Sequence, residues 1–229
     1  FFVGVLAIVL ALSVVSAVTI ANWNFEDSNL VVDSGTGTLA LSDARTATFP
    51  SGNAPSAVAS MSSVTWDVAN RYIEISLSTV SFQDLILKLD EQRSATGPTA
   101  FQIQYSSDGT TFTNLGSTTS TVTAFTANPM NTFDFSSITA LDNNANVKLR
   151  ILVPTGSVAS DPAGTLRIDN ILVEGTVNTT PSEITACSTT GNTGDLRIKK
   201  IDFTNNGLSS GTTFGKDDEW FPRENVDVE

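Results

Sequence analysis

The sequence predicts an all-β protein built as an antiparallel β-sandwich, on three observations. Apolar residues recur at every second position in stretch after stretch, the period of a strand with one buried and one solvated face. Turn residues such as Asp108-Gly109 and Asp161-Pro162-Ala163-Gly164 fall between those stretches, as antiparallel connections require. Helical periodicity is scarce after Val18.

The first element is not a strand. Phe1 to Val18 carries no charge, and residues 1–17 read as a signal peptide or a membrane helix. Val15-Ser16-Ala17 suits the small-residue rule at a cleavage site, whereas the run is also near the ~20 residues that span a bilayer. No Lys or Arg precedes Arg45, so no basic flank favours retention. A processed pilin-type helix is a third reading, although the acidic residue such helices carry near their start is missing, Glu26 being the first. The chain lacks an initiating Met and stops within an alternating pattern at Glu229, which leads us to expect a fragment of a longer reading frame.

Residues 18–177 are expected to form the sandwich. Val18–Phe25 opens it. Tyr72–Leu77 places Ile73, Ile75 and Leu77 on one face, Leu85–Asp90 does the same with Leu85, Leu87 and Leu89, and Phe101–Ser106 turns Phe101, Ile103 and Tyr105 inward. Val147–Val153 repeats the pattern. Asp108-Gly109 between Phe101–Ser106 and Phe112–Leu115 predicts a hairpin, because Gly accepts a positive φ without a Cβ clash. In Leu166–Val173 the apolar face runs through Leu166 and Ile168 and resumes at Ile171 and Val173. That change of parity needs one extra residue, which predicts a β-bulge at Asp169-Asn170.

Residues 178–194 are Thr- and Ser-rich and read as a linker. They contain Cys187 and open on the Asn178-Thr179-Thr180 sequon, making Asn178 a glycosylation candidate in an exported chain. Residues 195–229 resume alternation and read as the start of a truncated second β domain.

Composition limits function. Of 229 residues, 24 are acidic and 12 basic, for a net charge of −12. No basic face is available to displace counterions from a nucleic acid. Histidine is absent, which excludes Ser-His-Asp and Cys-His catalysis and histidine zinc sites. A single cysteine excludes an internal disulfide. Gly35-Thr36-Gly37 lacks the further glycine and the helix of a phosphate loop. Asp90-Glu91 and Asp217-Asp218-Glu219 offer carboxylates for glycoside hydrolysis, but neighbours along a strand point to opposite faces, so no catalytic residue is assigned and the chain is expected not to be an enzyme.

Three pieces carry a resemblance: the opener Trp23-Asn24-Phe25-Glu26-Asp27; Arg93–Pro98 followed by Phe101–Gly109; and the closer Gly164–Asn170. In this order they make the stretch from Asn22 to Val177 resemble the jelly-roll domains of secreted surface proteins and carbohydrate-binding modules. The tail, through Asp195–Asn206 and Phe214–Pro222, resembles a region of archaeal surface-layer proteins. The jelly-roll resemblance implies a Ca²⁺ ion joining the first and last strands, with Glu26 and Asp169 as ligands and Asp27 and Asn170 able to add oxygens. In the competing reading Glu26 and Asp27 are a solvated strand end and Asp169 satisfies amides at the bulge. A glycan site would need exposed aromatics to stack on sugar faces and polar side chains for the hydroxyls; the candidates are Trp66, the best candidate for an exposed aromatic, with Tyr72, Arg93, Gln102 and Gln104, whereas in the competing reading Gln102 and Gln104 form an ordinary wet face.

The resulting expectation is an exported, non-catalytic cell-surface protein whose sandwich binds a glycan or a surface. The alternatives are a structural surface-layer or pilin-like subunit held to other surface proteins, and an ancillary module of a secreted hydrolase. A membrane would be met only through a retained N-terminal segment.

Overall fold

The computed structural model describes residues 17–55 and 57–178. Residues 1–16, expected as a signal peptide or membrane helix, Cys187 with most of the expected linker, and residues 195–229, expected to begin a second β domain, lie outside the described residues. In chain order the strands are β1 (Ala17–Trp23), β2 (Ser34–Gly35), β3 (Thr38–Leu41), β4 (Met61–Ser63), β5 (Tyr72–Leu77), β6 (Phe82–Arg93), β7 (Ala100–Ser106), β8 (Thr113–Asn114), β9 (Thr119–Ser120), β10 (Asn131–Asp134), β11 (Val147–Leu152) and β12 (Leu166–Val177). Short 3-10 turns occur at Ser42–Ala44 and Thr139–Leu141. No helix among the described residues is long and apolar enough to cross a membrane.

Two antiparallel sheets form a sandwich. The first runs β10-β6-β12-β1-β2, with β4 also on β12; the second runs β3-β5-β11-β7-β8, with β9 on β7. The alternation read from the sequence decides which side chains enter the core. Ile73, Ile75 and Leu77 of β5, Leu85, Leu87 and Leu89 of β6, and Val147, Leu149 and Ile151 of β11 are all buried. They meet Trp23, Trp66, Phe101 and Phe135 in one cluster. Each such large apolar side chain contributes about 1.5–3 kcal/mol by leaving water. Tyr105, expected inside, is only half buried and packs edge-on against Phe135.

The hairpin after β7 forms as expected. Gly109 has φ 75°, and Asp108 Oδ1 accepts from Ser106 Oγ and from the N–H groups of Thr110 and Thr111. β1 pairs with β12 from Ala17↔Thr176 to Trp23↔Ile171, so the first and last strands lie side by side.

The bulge is also present. Pairing of β12 with β6 jumps from Asp169↔Asp90 to Leu172↔Lys88, so two residues oppose Leu89 alone. Asn170 takes φ 49° there, a left-handed conformation Asn tolerates better than most residues. On the other edge of β12, β4 pairs with residues 166–168 and β1 with residues 171–176. The bulge therefore sits where β12 changes neighbours, and its polar groups face a gap between two strand ends.

Candidate functional site

Two polar assemblies stand out. The first covers the outer face of the second sheet. Register places Ala40, Glu74, Arg150, Gln104 and Asn114 in one row across β3, β5, β11, β7 and β8. Side chains so aligned are in contact range. Arg150 is the hub. Its Nε donates to Glu74 Oε2 at 2.8 Å and its Nη2 lies 2.7 Å from the same oxygen. The guanidinium carbon is 3.8 Å from the Tyr72 ring centroid and 3.4 Å from that of Phe112. A guanidinium stacked between two rings is fixed in plane and partly stripped of water. Lys148 Nζ donates to Glu74 Oε1 at 2.8 Å. Burial pushes the Glu74 carboxyl up, but its bonds to Lys148 and Arg150 outweigh this and hold it below its ordinary value. Gln104 Nε2 donates to Asn114 Oδ1 at 2.8 Å. Beside this row lies a cavity of about 400 Å³ lined by Thr38, Ser76, Asp108, Asn146 and Lys148 among others. The amides of Thr111 and Thr110 hold the Asp108 carboxyl well below the usual carboxylate range.

Of the glycan candidates read from the sequence, Tyr72 and Gln104 share this face. Three expectations are corrected. Trp66 is 0% exposed: Nε1 donates to Ser63 O at 2.8 Å, and the Arg45 guanidinium lies 3.7 Å from its ring centroid. A large aromatic gains more from the core than from water, and this one offers no face to a ligand. Gln102 is not on a wet face. It is 5% exposed because the chain after β8 crosses over it, and Nε2 donates to Ile103 O and Leu115 O. Arg93 stands apart on the first sheet, with Nη1 on Ser94 O and Ala95 O. Arg150, Glu74, Phe112 and Asn114 were not singled out from the sequence; they are ordinary outward positions of their strands until the register aligns them.

The second assembly fills the gap at the bulge. Asp90 is 0% exposed and accepts four hydrogen bonds: Oδ2 from Asn53, Asn128 and Asn170 Nδ2 at 3.0, 2.8 and 2.8 Å, and Oδ1 from Met130 N at 2.7 Å. Asp169, also 0% exposed, accepts from Asn53 N and Asn170 N. Burial pushes its carboxyl up to about 7; the two amides oppose this and the charges of Asp90 and Glu26 add to it. Glu26 Oε2 is buried with no hydrogen-bond partner.

Glu26, which follows β1, lies near enough to Asp169 for its charge to act on that carboxyl. Asn170 turns its amide to Asp90 and Ala54 O, and Asp27 lies on an exposed turn where its carbonyl accepts from Asn29. The donor set suits a hard cation: an orphaned carboxylate oxygen, a second carboxylate resisting ionisation, and carbonyl oxygen nearby. A Cβ built on Gly52 would lie 2.3 Å from both Asp169 Oδ2 and Ala59 O, so glycine keeps this space open. Among the described residues no three acidic or cysteine side chains gather as a metal-holding group; a cation here would rest on two carboxylates plus neutral oxygens.

The fold defines the class: a two-sheet antiparallel β-sandwich. Solved structures similar to it include the CBM22-1 xylan-binding domain from Paenibacillus barcinonensis Xyn10C, at 10% identity and TM-score 0.47, covering 72% of this chain and 98% of that one. The family 29 carbohydrate-binding module CBM29_1 from Piromyces equi matches at 11% identity and TM-score 0.42, covering 71% and 93%. The K2 cleaved adhesin domain of Lys-gingipain matches at 14% identity and TM-score 0.42, covering 69% and 97%. No protein-family model and no curated protein matches the chain.

Proposed function

We propose that this chain is an exported, non-catalytic binding protein whose second sheet takes a glycan on its outer face. The observation that carries the reading is the Tyr72–Arg150–Phe112 stack set in the row Glu74–Arg150–Gln104–Asn114. Half-buried aromatic surface for sugar C–H faces stands beside donors and acceptors already fixed for hydroxyls. Ion pairing and cross-strand bonds fix these groups before a ligand arrives, which lowers the entropic cost of binding. The non-catalytic reading is supported by the placement of Asp90 and Glu91, both buried, with Asp90 engaged by four donors. Neither faces a cleft in which a glycosidic bond would sit.

Ca²⁺ is proposed as a structural ion held by Glu26 and Asp169. It would neutralise the two carboxylates and tie β1 to β12; Asp27 and Asn170 are not placed to lead its coordination. Asn178, whose N–H donates to Ser81 O, remains a proposed glycosylation site.

The glycan reading is tested by titrating the full chain against a panel of plant, algal and bacterial polysaccharides in affinity electrophoresis. Tyr72→Ala and Phe112→Ala are expected to weaken binding about tenfold or more without lowering the unfolding midpoint by more than a few degrees. Binding that survives both substitutions removes the sheet face as the site.

A further inference from the structure

We propose that the glycan taken by the second sheet is an acidic one, its carboxylate received by Arg150 with Lys148 beside it; this rests on the reading of that face given above. Three observations favour a charged ligand over a neutral one. Arg150 is committed on one edge only, through Nε and Nη2 to Glu74. Its two faces are covered by Tyr72 and Phe112. Nη1 makes no hydrogen bond among the described residues and is not among their buried unpaired atoms, so its N–H groups meet solvent. Covering the faces while leaving that edge open concentrates the remaining hydration, and the next strong interaction, at Nη1.

The charge on the face does not oppose an acid. Its rows carry Glu74, Lys148 and Arg150 as charged side chains, and the single carboxylate in those rows is shared by both cations. Asp108 lines the adjoining cavity with Lys148, stays ionised and offsets the remaining positive charge there, so the open Nη1 edge of Arg150, not a net charge on the face, selects the acid. Distant acidic residues oppose a polyanion weakly, because charges beyond about 8 Å are largely screened at physiological salt. A carboxylate at Nη1 meets a guanidinium already fixed in place, and charge-assisted hydrogen bonds are about twice as strong as neutral ones. A hydroxyl at the same point would accept from the guanidinium but bring no opposite charge, and Gln104 and Asn114 would serve it as well.

The test uses the full chain and pairs of polymers differing only at the acid: pectate, alginate and glucuronoxylan, each beside its carboxyl-reduced form. At least one acidic polymer is expected to bind about tenfold or more tightly than its reduced partner, with affinity falling as sodium chloride is raised. Arg150→Gln, verified to unfold at an unchanged temperature, is expected to erase the preference. Lys148→Gln, which leaves the Glu74–Arg150 pair in place, is expected to reduce it. Equal, salt-independent binding of the acidic and reduced forms overturns the acidic preference while leaving the platform standing. Retention of the preference in both variants overturns the assignment to Arg150 and Lys148. No binding to any polymer, acidic or reduced, overturns the glycan reading together with this inference.

Discussion

Glu91 offers the sharpest quantitative check on the packing. It is 1% exposed in the first sheet, and its Oε2 accepts a single long bond from Val122 N at 3.3 Å. Burial pushes its carboxyl up to about 7 from 4.5, against the opposing influence of the Val122 amide and Arg93. The folded chain therefore holds a proton that the unfolded chain has released. Between those two values folding stability must fall as pH rises, and the full penalty is present above about pH 7. At about 1.4 kcal/mol per pH unit the displacement amounts to about 3 kcal/mol. Glu91→Gln removes the titration while its amide oxygen can still accept from Val122. Its new amide donors, if unmatched, cost about 1–3 kcal/mol, but equally at every pH. The quantity to measure is therefore the stability difference between variant and wild type as a function of pH. It should shift in favour of the variant by about 3 kcal/mol between about pH 4 and about pH 8, or roughly 6–12 °C in unfolding midpoint for a domain of this size. Asp169 titrates in both proteins and cancels from the comparison. A difference that stays constant across that range would refute the burial of an uncompensated carboxyl at this position.

The bulge supplies two further predictions. Added Ca²⁺ should raise the unfolding midpoint of the wild type, measured by differential scanning fluorimetry near neutral pH, and Glu26→Gln should abolish that rise; an unchanged wild-type midpoint counts against the ion. Gly52→Ala should destabilise the chain by several kcal/mol, because its Cβ would fall 2.3 Å from Ala59 O and Asp169 Oδ2, and overpacking of this kind forces backbone to shift. It should also remove any Ca²⁺ effect, and a variant as stable and as Ca²⁺-responsive as the wild type would refute the crowding described at Asp169.

The long strands were legible because each carries its own period. The whole of Tyr72–Leu77 was readable as it stands in β5, and the parity change in Leu166–Val173 gave the bulge before any neighbour was known. Short strands such as β2, β8 and β9, two residues each, hold too little periodicity to announce themselves; they exist because longer neighbours offer them hydrogen bonds. The same distinction governs the candidate site. Glu26 and Asp169 became candidates only through the jelly-roll resemblance of the opener and the closer, not through any periodicity of their own. Arg150 and Phe112 acquire their roles only through register, which pairs Arg150 with Glu74 on one side and Gln104 on the other. Trp66 misled because it lies between strands, where no alternation indicates inside from outside.

Asp90 has a consequence for how the sandwich moves. Its donors come from three separate segments, through Asn53, Asn128 with Met130, and Asn170. Freeing any one of these segments uncovers part of a charge buried from water, so the connections are coupled in opening even though they are far apart along the chain. They should exchange their amide hydrogens as one cooperative unit, and a neutral, smaller residue at this point should release all of them at once rather than loosening the nearest.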